Sequence, residues 1–137
     1  MLDTATIVEI GDMLSPLRLA PVSRATLALF AGASGDHNPI HIDIDFARRA
    51  GMPDVFVHGM LSMAYVARLL TGWQPQSRLR SFGARFVAIT HLGNEIVCGG
   101  RVTAVGERNG ENCAWVKVTM ENQYGQSKIA GEAVVAL

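Results

Sequence analysis

Hydrophobic and polar positions divide the chain into a helical first half and a strand-rich second half. Ser23 can cap a first helix, whose apolar residues recur at helical spacing as far as about Ala33. A second, short helix is predicted to begin at Asp43 or Asp45 and to end at Gly51. Both helices should therefore lie before residue 52.

The third predicted helix, residues 58–71, is apolar on nearly every side, which is typical of a helix buried all round. Four strand candidates follow, each bounded by residues that favour turns: 79–89, 95–105, 114–120 and 127–135. A run of strands after a run of helices predicts the α+β class. We expect an antiparallel sheet wrapped around a central buried helix.

Length, charge and cysteine content narrow the possible classes of protein. The chain has 137 residues and a formal net charge of zero, which favours one domain over residues 1–137 and argues against a nucleic-acid partner. Its most apolar stretch, 59–70, is shorter than the roughly 20 residues of a membrane helix, and Asp3 and Glu9 argue against a signal peptide. Two cysteines need no disulfide framework, so a cytoplasmic location is predicted.

Titratable side chains concentrate in one segment, residues 34–43. A carboxylate is ionised near neutrality and an imidazole exchanges protons there, so Asp36 and His41 can act on one water molecule. Taking a proton from water and returning one elsewhere on a substrate is the core of hydration chemistry. The structural alternative makes Asp36 and Asn38 turn residues and His41 a hydrogen-bonded core histidine.

His37 and His41 stand four residues apart, a spacing that on a helix would suggest a metal site. Pro39 lies between them and disrupts the helical register. No further ligand is obvious in the sequence, so no metal is predicted.

The residues His58-Gly59-Met60 open the third predicted helix. The first N–H groups of a helix are unpaired and carry the positive end of its dipole. Since Gly59 has no side chain to block an approaching oxygen, its N–H can stabilise the enolate formed when water adds to a conjugated thioester. The alternative is that Gly59 simply allows close helix packing.

These features together resemble the MaoC-type hydratase/dehydratase family, which includes (R)-specific enoyl-CoA hydratases. The matching pieces are Phe30-Ala31-Gly32-Ala33-Ser34-Gly35-Asp36-His37-Asn38-Pro39-Ile40-His41-Ile42-Asp43, then Phe46-Ala47 with Gly51, Val57-His58-Gly59-Met60-Leu61, Ala84-Arg85-Phe86 and Gly131-Glu132-Ala133. The strong resemblance covers residues 28–62. Residues 90–94 depart from it, because the family often has a Pro-x-x-x-Gly-Asp turn there.

The resemblance implies a hot-dog fold, a homodimer, and reversible hydration of trans-2-enoyl thioesters to (R)-3-hydroxyacyl thioesters. It implies that Asp36 and His41 hold the catalytic water and that Gly59 N–H forms the oxyanion site. The implied substrate is a thioester of CoA or of acyl carrier protein, and the implied reaction uses no cofactor. The residues expected to contact the substrate are Ser34, Asn38, Phe56, His58, Met60 and Met63.

Two other functions stay open at this point. A hot-dog thioesterase would hydrolyse the same thioesters, but such enzymes usually place a carboxylate on the central helix, and residues 58–71 contain none. A partner subunit of a heterodimeric dehydratase would chiefly shape the acyl tunnel. It would not require Asp36, His41 and Gly59.

Overall fold

The computed structural model describes residues 7–137, so the N-terminal Asp3 lies outside the described residues. In chain order the elements are β1 (Leu17–Leu19), α1 (Arg24–Ser34), a 3-10 turn (Pro39–His41), α2 (Ile44–Arg49), α3 (Gly59–Trp73), a second 3-10 turn (Gln76–Arg78), β2 (Leu79–Phe86), β3 (Ile96–Arg108), β4 (Glu111–Glu121) and β5 (Ser127–Ala136). The strands form an antiparallel sheet in the order β1-β3-β4-β5-β2. The predicted α+β class is confirmed.

Side-chain caps fix the first two helices. Ser23 Oγ accepts a hydrogen bond from Thr26 N–H at 3.1 Å, and Gly35 ends α1 in the left-handed region at φ 77°. Asp43 accepts hydrogen bonds from two N–H groups of the first turn of α2, at 3.0 and 3.2 Å. Of the two caps predicted for α2, Asp43 is therefore the one used.

All four predicted strands are present, with shifted ends. The first was predicted to reach residue 89, but β2 ends at Phe86 and the following residues leave the sheet. Strand β1 was not predicted, because three residues are too short to show a period of two. Residues 91–94 form a turn closed by the hydrogen bond from His91 N–H to Asn94 Oδ1 at 2.9 Å.

Helix α3 packs against the inner face of the sheet. Its buried residues join the strand residues in one core: Leu61, Val66, Leu69 and Leu70 with Val102, Val116, Val118, Met120, Ile129 and Ala133. The opposite side is open, since Met60 is 58% exposed and Ala64 and Arg68 are also exposed. The prediction of burial on nearly every side is wrong for the single chain, because one sheet can cover only one side of a helix.

Cys98 and Cys113 are buried and free of disulfides, as expected for small apolar residues in strands. Burial raises the pKa of the Cys98 thiol to about 12, so this sulfur is protonated and unreactive at neutral pH. Within residues 7–137, no helix has both the length and the apolar character to span a membrane.

The β2–β5 pair should not tolerate a methyl group at Gly131, which lies opposite Ala84. A Cβ there would lie 2.4 Å from Gly83 O and 3.0 Å from Ala84 Cα, both backbone atoms. We expect Gly131→Ala to lower the free energy of unfolding by about 1–3 kcal/mol in urea titrations. Gly106→Ala is the matched control, because a Cβ at Gly106 of β3 meets nothing within 4 Å. Equal stabilities of the two variants would contradict this packing.

Candidate active site

The loop between α1 and α2 is held by its own polar groups. Asp36 N–H donates to Ser34 Oγ at 3.1 Å, and Asp36 Oδ1 accepts from Asn38 N–H at 3.2 Å. Asn38 Oδ1 in turn accepts from Ile40 N–H at 3.1 Å and caps the 3-10 turn. This turn directs His41 inward, where it is 8% exposed, while Asp36 stays exposed.

His41 is oriented by a backbone acceptor. Its Nδ1 lies 2.8 Å from Phe56 O, and because a carbonyl oxygen only accepts, Nδ1 carries the proton. In the neutral imidazole Nε2 is then the nitrogen able to accept a proton. The Phe56 ring meets the His41 ring edge-on, with centroids 5.1 Å apart, and limits its rotation. His41 is therefore a hydrogen-bonded core histidine whose Nε2 can accept a proton.

His58 lies directly behind this imidazole. The two rings stack with centroids 4.0 Å apart, and His58 is completely buried. Its Nε2 lies 3.3 Å from the backbone oxygen of Asp36, so Nε2 carries the proton and the buried Nδ1, which has no partner among residues 7–137, is a bare lone pair. Burial first, and the neighbouring His41 second, lower the pKa of His58, so its ring stays neutral.

Asp36, His41 and His58 each present one oxygen or nitrogen, and these three atoms lie within 4.8 Å of one another. A water molecule with hydrogen bonds of about 2.8 Å bridges two acceptors that are roughly 4–5 Å apart. The Asp36 carboxylate and a ring nitrogen of His41 therefore lie close enough to hold one water between them.

The same three residues have the composition of a metal site, but the stacked rings are unsuited to sharing an ion. A metal lies near the plane of each imidazole that binds it. The ring centroids are 4.0 Å apart and the planes are inclined by only 26°, so the two rings lie nearly parallel and their in-plane lone pairs do not converge on one ion at a metal–nitrogen bond of about 2 Å. The geometry favours a water between Asp36 and His41.

Gly59 begins α3, and its N–H and that of Met60 make no backbone hydrogen bond within the described chain. These N–H donors lie at the positive end of the dipole of a 15-residue helix. A Cβ on Gly59 would lie 3.3 Å from carbons of the Phe86 ring. Both interpretations of this glycine therefore have support: it permits close packing of Phe86, and its N–H is free.

A cavity of about 320 Å³ opens beside the start of α3. Its walls come from Phe56 and Val57, from Gly59 and Ser62 of α3, from residues 86–90, and from Lys128 and Ile129 of β5.

The residues predicted to contact the substrate are not all brought together. Phe56 lines the cavity together with Gly59, and His58 supports His41 from behind. Ser34 and Asn38 hold the loop, Met60 is exposed, and Met63 packs against the core.

Sequence reasoning missed Ser62, Phe86 and Lys128 as cavity residues. The available signal was Lys128, a lysine beside Ile129 at the start of a strand whose other residues, apart from Ser127 and Glu132, are glycine or apolar.

Comparison with known proteins identifies the architecture as the hot-dog fold of (R)-hydratases. The solved structure of an (R)-hydratase from A. caviae involved in PHA biosynthesis matches with a TM-score of 0.84 at 30% identity, covering 97% of this chain and 99% of that one. Residues 8–124 match the family described as MaoC like domain, and the chain belongs to this family. The fold and family predicted from the sequence are confirmed.

Curated relatives of the chain carry hydratase or dehydratase names. The chain is 31% identical over 135 residues to the mitochondrial 3-hydroxyacyl-[acyl-carrier-protein] dehydratase of Arabidopsis thaliana, covering 96% of this chain and 79% of that protein. It is 32% identical over 115 residues to the (R)-specific enoyl-CoA hydratase of Aeromonas caviae, covering 82% and 84%. Both names agree with the predicted class, a hydro-lyase acting on acyl thioesters.

The neutral state of His58 should make stability depend on pH. Because its folded pKa lies below the unfolded value of 6.5, the unfolded chain binds more protons as pH falls below 6.5, and the free energy of unfolding decreases. Proton NMR of the His58 ring should give a titration midpoint below 6.5. A midpoint at or above 6.5 would contradict a desolvated, neutral His58.

Proposed function

We propose that the chain is a single MaoC-like hot-dog domain that reversibly hydrates trans-2-enoyl thioesters to (R)-3-hydroxyacyl thioesters. The observation that supports this proposal most directly is a short distance. The Asp36 carboxylate lies within 4.8 Å of a ring nitrogen of His41, and a ring nitrogen of His58 lies within the same distance of both. The thioester itself acidifies the α carbon, so the proposal needs no cofactor. Substrates carried by CoA and by acyl carrier protein both fit it.

Asp36 and His41 would bind one water molecule together and remove a proton from it. Both present acceptors, so each can receive one hydrogen bond from the same water and turn its oxygen lone pair towards C3 of the substrate. The C3–O bond forms as the pair removes a proton from the water, and a proton is returned to C2. The neutral ring of His58 beneath His41 adds no competing positive charge.

Gly59 would stabilise the charge that develops on the thioester oxygen. The addition of water at C3 pushes electrons onto this oxygen as an enolate. The free N–H at the positive end of α3 is the kind of donor that stabilises such an oxyanion. Collapse of the enolate with protonation at C2 completes the addition of water.

The composition of α3 continues to favour hydration over thioester hydrolysis. Residues Gly59–Trp73 contain no Asp or Glu, so the helix carboxylate usual in hot-dog thioesterases is missing. With crotonyl-CoA as substrate, hydration removes the enoyl absorbance without releasing a thiol, whereas hydrolysis releases one.

We further propose that the enzyme is a homodimer with a cytoplasmic location. The edge strand β2 runs into residues 86–89, where Phe86, Val87 and Ile89 are 52%, 49% and 40% exposed. An open strand edge beside exposed apolar side chains is suited to pairing with a second copy. The reduced, buried cysteines fit a cytoplasmic location.

Substitution of Val87 should test the dimer. Light scattering is expected to give twice the 14.7 kDa chain mass for the wild type and a shift towards the single-chain mass for Val87→Lys, since a charge at the interface is desolvated. Leu29→Lys on α1, where Leu29 is 74% exposed, is the control and should keep the wild-type mass. A wild-type chain that remains a monomer while active would refute the dimer.

Substitution of the pair tests the reaction. Asp36→Asn and His41→Gln should each lower kcat for crotonyl-CoA hydration by about 10²–10⁴-fold, because each removes one acceptor for the water. Asp45→Asn and His37→Gln make the same chemical changes at exposed positions nearby and should leave kcat close to wild type. Near-wild-type activity of either pair variant would exclude the mechanism.

A further inference from the structure

Lys128 is an unusual member of the cavity wall. It is only 5% exposed, and its Nζ donates one hydrogen bond, to Ile89 O at 2.7 Å. An ammonium group has three donors and carries a full positive charge. Neither ion pair found in residues 7–137, Arg24–Asp54 or Arg80–Glu111, involves this lysine.

A buried charge without a counter-ion is costly, and proteins normally pair it. Within the described chain, Lys128 has no carboxylate oxygen within 4.0 Å. Its position along the wall of the cavity means that a ligand bound there can supply the missing anion. The buried hydroxyl residues Ser62 and Thr90 also line this wall, whereas most of the remaining wall is apolar.

We propose that this cavity binds the acyl end of a thioester whose chain carries a carboxylate, and that the Lys128 ammonium binds that carboxylate. The inference rests on the proposed hydratase function, since it names the class of acyl group whose thioester oxygen would bind Gly59 N–H at this cavity. Gly59, the proposed donor to the thioester oxygen, and Lys128 line one cavity, so one short acyl chain can contact both.

The size and burial of the site favour a carboxylate on the acyl chain over a phosphate of the carrier. A volume of about 320 Å³ lies at the lower end of the roughly 300–1,000 Å³ of ligand pockets, which suits a short acyl group. The lysine is nearly inaccessible to solvent, whereas the phosphates of a carrier remain close to solvent. A mostly apolar wall that includes a buried lysine suits a short chain that carries a carboxylate.

The first test compares carboxylated and neutral substrates of equal chain length. We expect the wild type to prefer trans-glutaconyl-CoA over trans-2-pentenoyl-CoA, or 2-hexenedioyl-CoA over 2-hexenoyl-CoA, by about 10- to 100-fold in kcat/KM, the range of a buried charge-assisted hydrogen bond. Lys128→Met and Lys128→Gln should bring this ratio close to one. Lys117→Met, at an exposed lysine on β4, should retain it. No wild-type preference at either length would overturn the inference.

A second arm separates the carboxylate from the carrier phosphates. The corresponding pantetheine thioesters lack the adenosine phosphates of CoA, so the wild-type preference for the carboxylated acyl group should persist with them. Suppose instead that Lys128→Met lowers kcat/KM equally for carboxylated and neutral CoA thioesters and leaves kcat/KM for both pantetheine thioesters unchanged. The lysine would then bind a carrier phosphate, and the inference would be wrong.

A binding arm keeps this inference separate from the hydratase function. Calorimetry with saturated glutaryl-CoA and pentanoyl-CoA, and with adipyl-CoA and hexanoyl-CoA, measures affinity without turnover. Tighter binding of a carboxylated ligand, without hydration of any enoyl thioester, would support the anion site and refute the proposed function. Hydration of trans-2-pentenoyl-CoA with no preference in turnover or binding would support the function and refute the anion site.

Discussion

The candidate site depends on the stacking of His58 against His41. This contact joins two segments that are distant in sequence, the loop after α1 and the chain that enters α3. Hydrogen bonds on both sides complete the connection, from His58 Nε2 to Asp36 O and from His41 Nδ1 to Phe56 O. Each imidazole uses one nitrogen on a backbone carbonyl, so both tautomers are set and the loop is tied to the start of α3.

The sheet contributes to the site through the place where β2 leaves it. Strands β2 and β5 pair closely because Gly131 leaves room for the backbone of Gly83 and Ala84. Past Phe86 the chain turns away, although Val87 N–H still bonds Lys128 O at 3.0 Å and Lys128 Nζ still reaches Ile89 O. The departing segment forms one wall of the cavity, and the first residues of α3 form another.

Two kinds of electrostatic environment lie near the start of α3. Around Asp36 and His41 the groups are acceptors, with a neutral histidine behind them, which suits a water molecule that must give up a proton. Along the cavity wall the free Gly59 N–H and the Lys128 ammonium are donors, which suits oxygen atoms that gain or carry negative charge. Addition of water to a conjugated thioester needs both kinds of group: acceptors for the water that attacks the electrophilic carbon, and a donor for the carbonyl oxygen.

Local sequence was sufficient for the features that depend on neighbouring residues. The cap at Ser23 and the four long strands follow from capping preference and periodicity, and the order of motifs was specific enough to identify the family. The ends of the strands were less accurate because they depend on pairing between strands. The extension of β4 to Glu111 is an example, since its partner is Arg108 of β3.

Tertiary structure alone decided which side chains face one another. The sequence placed His58 at the start of a helix, but its stacking under His41 depends on how the loop packs against α3. It gave no reason to connect Lys128 with Gly59, because these residues lie 69 positions apart and meet only where β5 and α3 border the same cavity. Periodicity reports which face of an element is apolar, whereas a site is made by contacts between elements, and these are fixed by packing of the whole chain.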